Sequence, residues 1–593
     1  MENSVGNVVE VRFGADSIIG PLGFGTAENL SAVISGRLGV SRDDSGEISD
    51  GVIMAGRISG ERLGKYADEL GLTDYSKLVQ LVILAIEDVL VRSRVDIKRE
   101  NCGIIISTTK GEITSIASGG EDIPLWQTAE EIACHFGMST RDVMVISNAC
   151  ISGVSAIVTA GRLIRERDYE SVIVVGIDLL SHFITSGFGS FRSLSEELCL
   201  PYDNRRCGLN LGEACGAVLL TGKAVGSCAK SIFDNKKEEG GGVMEEIFLL
   251  GGAISNDANH ISGPSRTGDG LFFAMQSAMS EAGIESGAID TVNLHGTATV
   301  FNDEMESKAM QLAGLDGVPV NSLKPYFGHT LGASGVIETI ILLYQIRNGT
   351  IYAVPGYKEC GVSVSLNISN EHRILPKIDY ALKTASGFGG CNAAIVISRN
   401  GKFSEPFAVS SLKMERRCMI EGGKITLNGE DVFCSKTEDF HLFIREAFKF
   451  GGDGNMKFYK MDNLCKLGYM ATSILLDGIE LNGLETAIIL SNSSSSLDTD
   501  IKHQKNIDED ENEGASPAVF VYTLPNIVAG EICIKYKIRG ENTFFVTKEF
   551  LPEMIERHIL SLAKYAGTKQ VVYGWCEYTE NSYKADIRYG TIN

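Results

Sequence analysis

VMVISNACISG, residues 143–153, runs a β-branched apolar strand into Asn148-Ala149-Cys150 and on into a helical pattern that carries Gly153. A thiol at such a strand-to-helix turn sits at the positive end of a helix macrodipole. That placement lowers a thiol's pKa and presents a thiolate as a nucleophile. A lone cysteine is more often a small buried thiol, so the stretch acquires meaning only from what accompanies it.

Outward from this stretch the pattern repeats. Short apolar runs at 102–108, 171–178, 214–222, 291–296 and 394–398 read as strands. Longer amphipathic patterns at 76–92, 153–167, 271–283, 303–314 and 332–348 read as helices. Continuously apolar strands alternating with helices predict a layered α/β fold around a parallel-rich sheet. Many of the 66 glycines stand beside small residues, as in HGTAT, FGHTLGASG and SGFGGCN, where backbone must approach backbone or ligand.

Three further motifs follow Cys150 in order. His295 stands in NLHGTATVFND (293–303) at a strand end, and His329 opens a helix in NSLKPYFGHTLGASG (321–335), five positions after Lys324. ASGFGGCN (385–392) is a glycine loop entering a strand. Each alone is equally a core histidine or a simple turn; together, in this order, they resemble the elongating β-ketoacyl-acyl-carrier-protein synthases of the thiolase superfamily. The resemblance covers roughly residues 8–400 and includes Pro201-Tyr202-Asp203, Leu211-Gly212-Glu213 and SNDANHISGP (255–264). Thiolases pair their nucleophile with a second cysteine and initiating synthases use Cys-His-Asn. His329 inside GHTLGASG selects the Cys-His-His class.

The resemblance implies a thiolase-like αβαβα fold with two duplicated halves, at 1–230 and 231–405. It also implies a decarboxylative Claisen condensation between a Cys150-bound acyl group and malonyl-acyl-carrier protein. Cys150 would be the nucleophile, and the backbone N–H groups of Cys150 and Phe388 the oxyanion hole. His295 and His329 would stabilise the enolate. Lys324 would orient His329 or a neighbouring water, with Glu338 as the buried carboxylate of that network; a purely structural Lys–Glu pair is the alternative. Thr297 and Thr299 match pantetheine-binding hydroxyls, and Phe388 matches a gate between glycines. No cofactor and no metal are implied, since substrates ride on the carrier's phosphopantetheine. Departures from the family pattern are Ile151-Ser152 after the nucleophile, Asn293, Pro325-Tyr326 and Cys391, which replaces a threonine. The other readings kept are an acyltransferase or malonyl decarboxylase without elongation, and a non-catalytic chain-length partner. The last typically lacks the nucleophile that Cys150 supplies.

Composition agrees. The chain has 593 residues, 44% hydrophobic and 22% charged, with a formal net charge of −22 that argues against nucleic acid as partner. An acidic carrier would need a local basic patch. The 14 cysteines show no CxxC pair, no stretch is long and apolar enough to span a bilayer, and the start has no secretory pattern, so a cytoplasmic protein is expected.

Residues 406–593 form a further α/β domain. It resembles a degenerate copy of the first half: 466–478 echoes 77–90 and 485–494 echoes 102–111. LPNIVAGEICI (524–534) is matched to SNACISGVSAI, which puts Ile527 or Val528 at the nucleophile position. Synthases of this family dimerise through first-half strands beside the nucleophile. The expected assembly is therefore a homodimer, or a pseudo-dimer or heteromer through this domain. The polar run 498–516 is expected to be a solvated loop.

Overall fold

The computed structural model describes all residues except 1–8, 99, 118–122, 225–229, 234–244, 402, 410, 438, 510–514 and 581. Its first sheet contains β1 (Arg12–Gly20), β2 (Cys102–Ser107), β3 (Val143–Ile146), β4 (Ser171–Asp178) and β5 (Ala214–Thr221), in the order β3-β2-β4-β5-β1. The first two pairings are parallel and the last two antiparallel. β2, β3, β4 and β5 are buried along their whole length, which is why they read as unbroken apolar runs.

The same order and directions recur twice. The second sheet is built from β6 (Phe248–Asn256), β7 (Thr291–Asn293), β8 (Pro319–Asn321), β9 (Tyr380–Gly387) and β10 (Cys391–Ser398), ordered β8-β7-β9-β10-β6. The third has β11 (Leu412–Glu421), β12 (Thr486–Asn492), β13 (Asn542–Val546), β14 (Gln570–Thr579) and β15 (Ser582–Ile592), ordered β13-β12-β14-β15-β11. In each sheet four strands therefore run the same way and one (β5, β10 or β15) runs against them, so the parallel-rich pattern holds with a single reversed strand.

Among the helices of the first two units are α1 (Lys77–Ser93), α2 (Ser152–Arg165), α3 (His182–Ser190), α4 (Asp269–Ala282), α5 (Val300–Leu312) and α6 (Ser334–Asn348). α1 covers the outer face of the first sheet and α4 that of the second, while α2 and α6 lie between the sheets. This is the five-layered thiolase-like arrangement. α2 and α6 touch backbone to backbone: a Cβ on Gly335 would stand 2.4 Å from Val154 N, and one on Gly153 2.8 Å from Val336 N.

The third unit carries α7 (Asn463–Leu475), α8 (Leu497–Glu509), α9 (Pro517–Tyr522), α10 (Ile527–Tyr536) and α11 (Pro552–Ala566). α7 and β12 occupy the places of α1 and β2, as the sequence echoes suggested. The third echo is misplaced. α10, which carries Ile527 and Val528, precedes β13, whereas α2 follows β3; the counterpart of α2 is α11. β3 and β13 pair antiparallel with Val145 opposite Val546 and Ile146 opposite Phe545. α2 opens at Ser152 and α11 at Pro552, so Phe550 stands where Cys150 does. The copy still lacks a thiol there. The short similarity of an Asn followed closely by a Gly misled because it lies on the wrong helix.

The polar run is also not a loop: α8 spans most of it, and 510–514 lie outside the described residues. Thr499, Asp500, His503 and Gln504 form its buried face, so polar side chains do what apolar ones signal elsewhere. Lys110 Nζ meets Asp500 Oδ1 at 2.8 Å, and His503 Nε2 lies 3.2 Å from Phe183 O.

Gly335→Ala should cost roughly 3 kcal/mol, because the added methyl meets helix backbone that cannot give way. Urea unfolding should show a clearly lowered midpoint; an unchanged midpoint would contradict the backbone contact.

Candidate active site

Two matching elbows build the site. After β3, Ala149 takes φ 48° and a 3-10 turn (149–151) leads into α2; after β8, Leu331 takes φ 51° and a 3-10 turn (331–333) leads into α6. Positive φ on Ala and Leu is strained, and is held because Ser152 Oγ accepts the Asn148 N–H at 2.8 Å and Ser334 Oγ accepts that of Thr330 at 3.2 Å. The α2–α6 crossing brings both elbows to one place.

There His329 Nε2 lies 3.1 Å from Cys150 Sγ. The His295 and His329 rings stand edge to face with centroids 5.1 Å apart, and one ligand atom from each of Cys150, His295 and His329 lies within 4.8 Å of the others. The backbone N–H groups of His295 and Gly296 both donate to Glu306 on α5 at 2.8 Å, and Tyr202 OH donates to the same carboxylate at 2.9 Å. The His329 backbone is clamped by Asn210 and Gly212, so the Pro-Tyr-Asp and Leu-Gly-Glu signatures position the two histidines.

Behind the rings Lys324 Nζ pairs with Glu338 Oε1, and Lys383 Nζ lies 2.6 Å from Glu338 Oε2. All three are buried. Despite burial, which would raise it, the two lysines hold Glu338 below the usual carboxylate range. Burial, then the Lys324 and Lys383 charges, hold His329 well below the usual imidazole range. His295 is lowered in the same way, with His329 as a further contributor. Both rings are thus neutral near pH 7.

Burial pushes the Cys150 thiol up to about 12, against the pull of Lys324. This reverses the expectation from the helix dipole: the enclosed site outweighs it, so Cys150 rests as a thiol beside a neutral imidazole.

A Cβ on Gly387 would stand 3.0 Å from Cys150 N, so the glycine loop borders the nucleophile's amide. The Phe388 ring lies 6.2 Å from Phe188, stacked, and 5.4 Å from Phe191. Phe520 of the third unit comes within 5.4 Å of Phe188 and closes this apolar cluster. Thr297 and Thr299 bond through their hydroxyls at 2.9 Å, Thr297 buried and Thr299 partly exposed. The structure therefore gathers Cys150, His295, His329, Lys324, Glu338 and Phe388 in one site.

Sequence reading missed Lys383, Glu306, Asp178 and Phe520. Lys383 has a signal, the one charge inside an otherwise uncharged buried strand. Asp178, pushed up to about 6 by burial, ends β4 and accepts from Gly332 N at 2.6 Å and from Thr108 and Thr109.

Residues 108–225 match beta-ketoacyl synthase, N-terminal domain, and residues 248–358 match beta-ketoacyl synthase, C-terminal domain. The chain is 31% identical over 264 residues to 3-oxoacyl-[acyl-carrier-protein] synthase 2 of Staphylococcus aureus (strain COL), spanning 42% of this chain and 60% of that protein. It is 26% identical over 415 residues to the protein of the same name in Vibrio cholerae serotype O1, spanning 64% of this chain and 97% of that one. In fold it is similar to the solved PfaC Keto synthase-Chain length factor, with TM-score 0.74 at 13% identity over 98% of this chain and 78% of that one. Fold, site and both domain matches agree on the class, a thiolase-like condensing-enzyme scaffold with a Cys-His-His centre. The chain thus resembles the β-ketoacyl synthases in both of their domains, over residues 108–225 and 248–358, and spans 60% of the Staphylococcus relative.

Replacing Lys383 with Met removes one of the two cations that depress the histidines. Imidazole ¹⁵N NMR should then show His329 and His295 titrating at higher pH than in the parent; unchanged titration would disprove the electrostatic link.

Proposed function

We propose that the chain catalyses decarboxylative Claisen condensation of an acyl group on Cys150 with malonyl-acyl-carrier protein, giving 3-oxoacyl-acyl-carrier protein. The observation that carries this reading is the 3.1 Å approach of His329 Nε2 to Cys150 Sγ, with a second neutral histidine beside it. Cys150 loses its proton to His329 and attacks the acyl thioester, and the proton leaves on the departing carrier thiol. The amides of Cys150 and Phe388 hold the oxyanion. In the second half-reaction the malonyl carbon–carboxylate bond breaks and carbon dioxide departs. His295 and His329 then donate to the enolate oxygen, and the carbanion takes the acyl group as Cys150 leaves. Ser334 Oγ, 3.2 Å from His329 Nδ1, both donates and accepts, so it serves either position of the ring proton.

In this reading Lys324, Lys383 and Glu338 keep the histidines neutral, and Thr297 and Thr299 take the pantetheine arm. Residues 1–230 and 231–405 are the working halves, and 406–593 is a degenerate half that fills the partner's place. That filling is supported by the β3–β13 pairing and by Phe520 closing the apolar cluster. The carrier is acyl-carrier protein, by analogy with the Staphylococcus and Vibrio relatives, and the site is cytoplasmic. Among the described residues no helix is long and apolar enough to cross a membrane. The chemistry calls on no cofactor beyond the carrier's thioester.

The test is intact-protein mass spectrometry. Acyl-carrier protein loaded with an acyl thioester should add one acyl group to the parent and none to Cys150→Ala. His295→Ala should still acylate but yield no 3-oxoacyl product. Equal acylation of Cys150→Ala would refute the assignment.

A further inference from the structure

The glycine loop beside Cys150 is held from two directions. On its own side, Gly389 N donates to Ile261 O at 2.6 Å, Asn256 Nδ2 donates to Gly389 O at 2.9 Å, and Asp257 N donates to Gly390 O at 2.7 Å. On the other side stands the third unit. Asn526 Nδ2 donates to Phe388 O at 2.8 Å, where the Cys391 thiol also donates at 3.2 Å. One turn along α10, a Cβ on Gly530 would meet Gly389 O at 2.9 Å and Gly389 Cα at 3.0 Å, so the helix backbone rests directly on the loop.

Two features set Asn526 apart from a core-filling residue. It occupies the N-cap position of α10, where an asparagine side chain ordinarily accepts from its own helix, yet it makes no side-chain cap bond. It is 2% exposed, and among the described residues its Oδ1 has no hydrogen-bond partner. A buried amide with half its capacity unmet is destabilising compared with an apolar side chain of the same size. In return its Nδ2 makes a short hydrogen bond, beside a long one to Cys391 Sγ at 3.8 Å, and the short one falls on the carbonyl of Phe388, next in sequence to the Gly387 that borders the nucleophile's amide.

We propose that Asn526 is a positioning residue for the 387–390 loop, through which the third unit fixes where the Phe388 amide and ring stand relative to Cys150. The kinetic part of this proposal rests on the condensing function; the geometric part does not. With the carbonyl of Phe388 pinned, the peptide that follows cannot rotate freely, although Gly389 and Gly390, at φ 91° and 71°, give the loop a conformation only glycine adopts easily. The degenerate unit thus takes part in the site without contributing a reacting group.

The test uses the full chain with Asn526→Leu, which keeps the volume and removes both the donor and the orphaned acceptor, and with Gly530→Ala, which pushes the loop from the same helix. Asn526→Leu should melt at or above the parent's Tm, because the unpaired buried amide is gone. Its Cys150 should be alkylated by iodoacetamide roughly fivefold faster, the effect of losing one ordinary hydrogen bond on the loop. kcat for condensation should fall several-fold with little change in KM. Gly530→Ala should shift the alkylation rate as well. Alkylation rates equal to the parent's in both folded variants would overturn the proposal, as would a loss of kcat with unchanged alkylation. If the parent itself forms no 3-oxoacyl product, the functional reading fails while the alkylation comparison still decides the role of Asn526.

Discussion

Everything near Cys150 depends on two helices that cross with no side chain between them. α2 and α6 meet at Gly153 and Gly335, where any Cβ would overlap the facing backbone. Close packing of the two backbones fixes the distance between the elbows that precede them. One elbow delivers the thiol of Cys150; the loop leading into the other delivers the Nε2 of His329. Leucine and alanine at positive φ are tolerable there because the surrounding structure determines those turns more strongly than their own preferences do. Moving either helix outward by the width of a methyl group would separate sulfur from imidazole.

The third unit answers a problem that the first two create. β3 is the edge of the first sheet, and an unpaired apolar edge beside the nucleophile invites pairing with another chain. β13 occupies that edge, and the Asn148 side chain extends the pairing by accepting from Phe544 N at 2.8 Å and donating to Asn542 O at 3.1 Å. The seam is fastened by buried charge. Across it Arg162 meets Glu541 at 2.7 Å and Lys110 meets Asp500 at 2.8 Å, while within the third unit His558 Nε2 lies 3.1 Å from the Glu541 carboxylate. Such pairs are poor sources of stability beside apolar packing, but they tolerate only one register. That accuracy matters because Phe520 and Asn526 arrive at the site from this unit.

The strands and the three central residues were readable because their signals are local. A run such as SVIVVGID can only be a doubly buried strand, and Cys150, His295 and His329 each lie in a glycine-bearing motif whose order adds information. What was not readable depends on partners distant in sequence. Lys383 is a single charge whose meaning appears only when Glu338 is seen to have two lysines. Glu306 looks like any helical glutamate until the amides of His295 and Gly296 converge on it. α8 was hidden because its buried face is polar and its partners, Lys110 and Phe183, belong to the first unit. Phe550 was overlooked for Ile527 because strand pairing, not residue similarity, defines which positions correspond.

The central claim, that Cys150 and the two histidines form a carbon–carbon bond, is tested most directly in a single turnover. Enzyme already acylated on Cys150 is mixed with malonyl-acyl-carrier protein labelled with ¹³C in its free carboxylate. Labelled carbon dioxide and 3-oxoacyl-acyl-carrier protein should appear together in equal amounts as the acyl mass leaves Cys150. Carbon dioxide released while Cys150 stays acylated, or acyl loss without carbon dioxide, would contradict that claim.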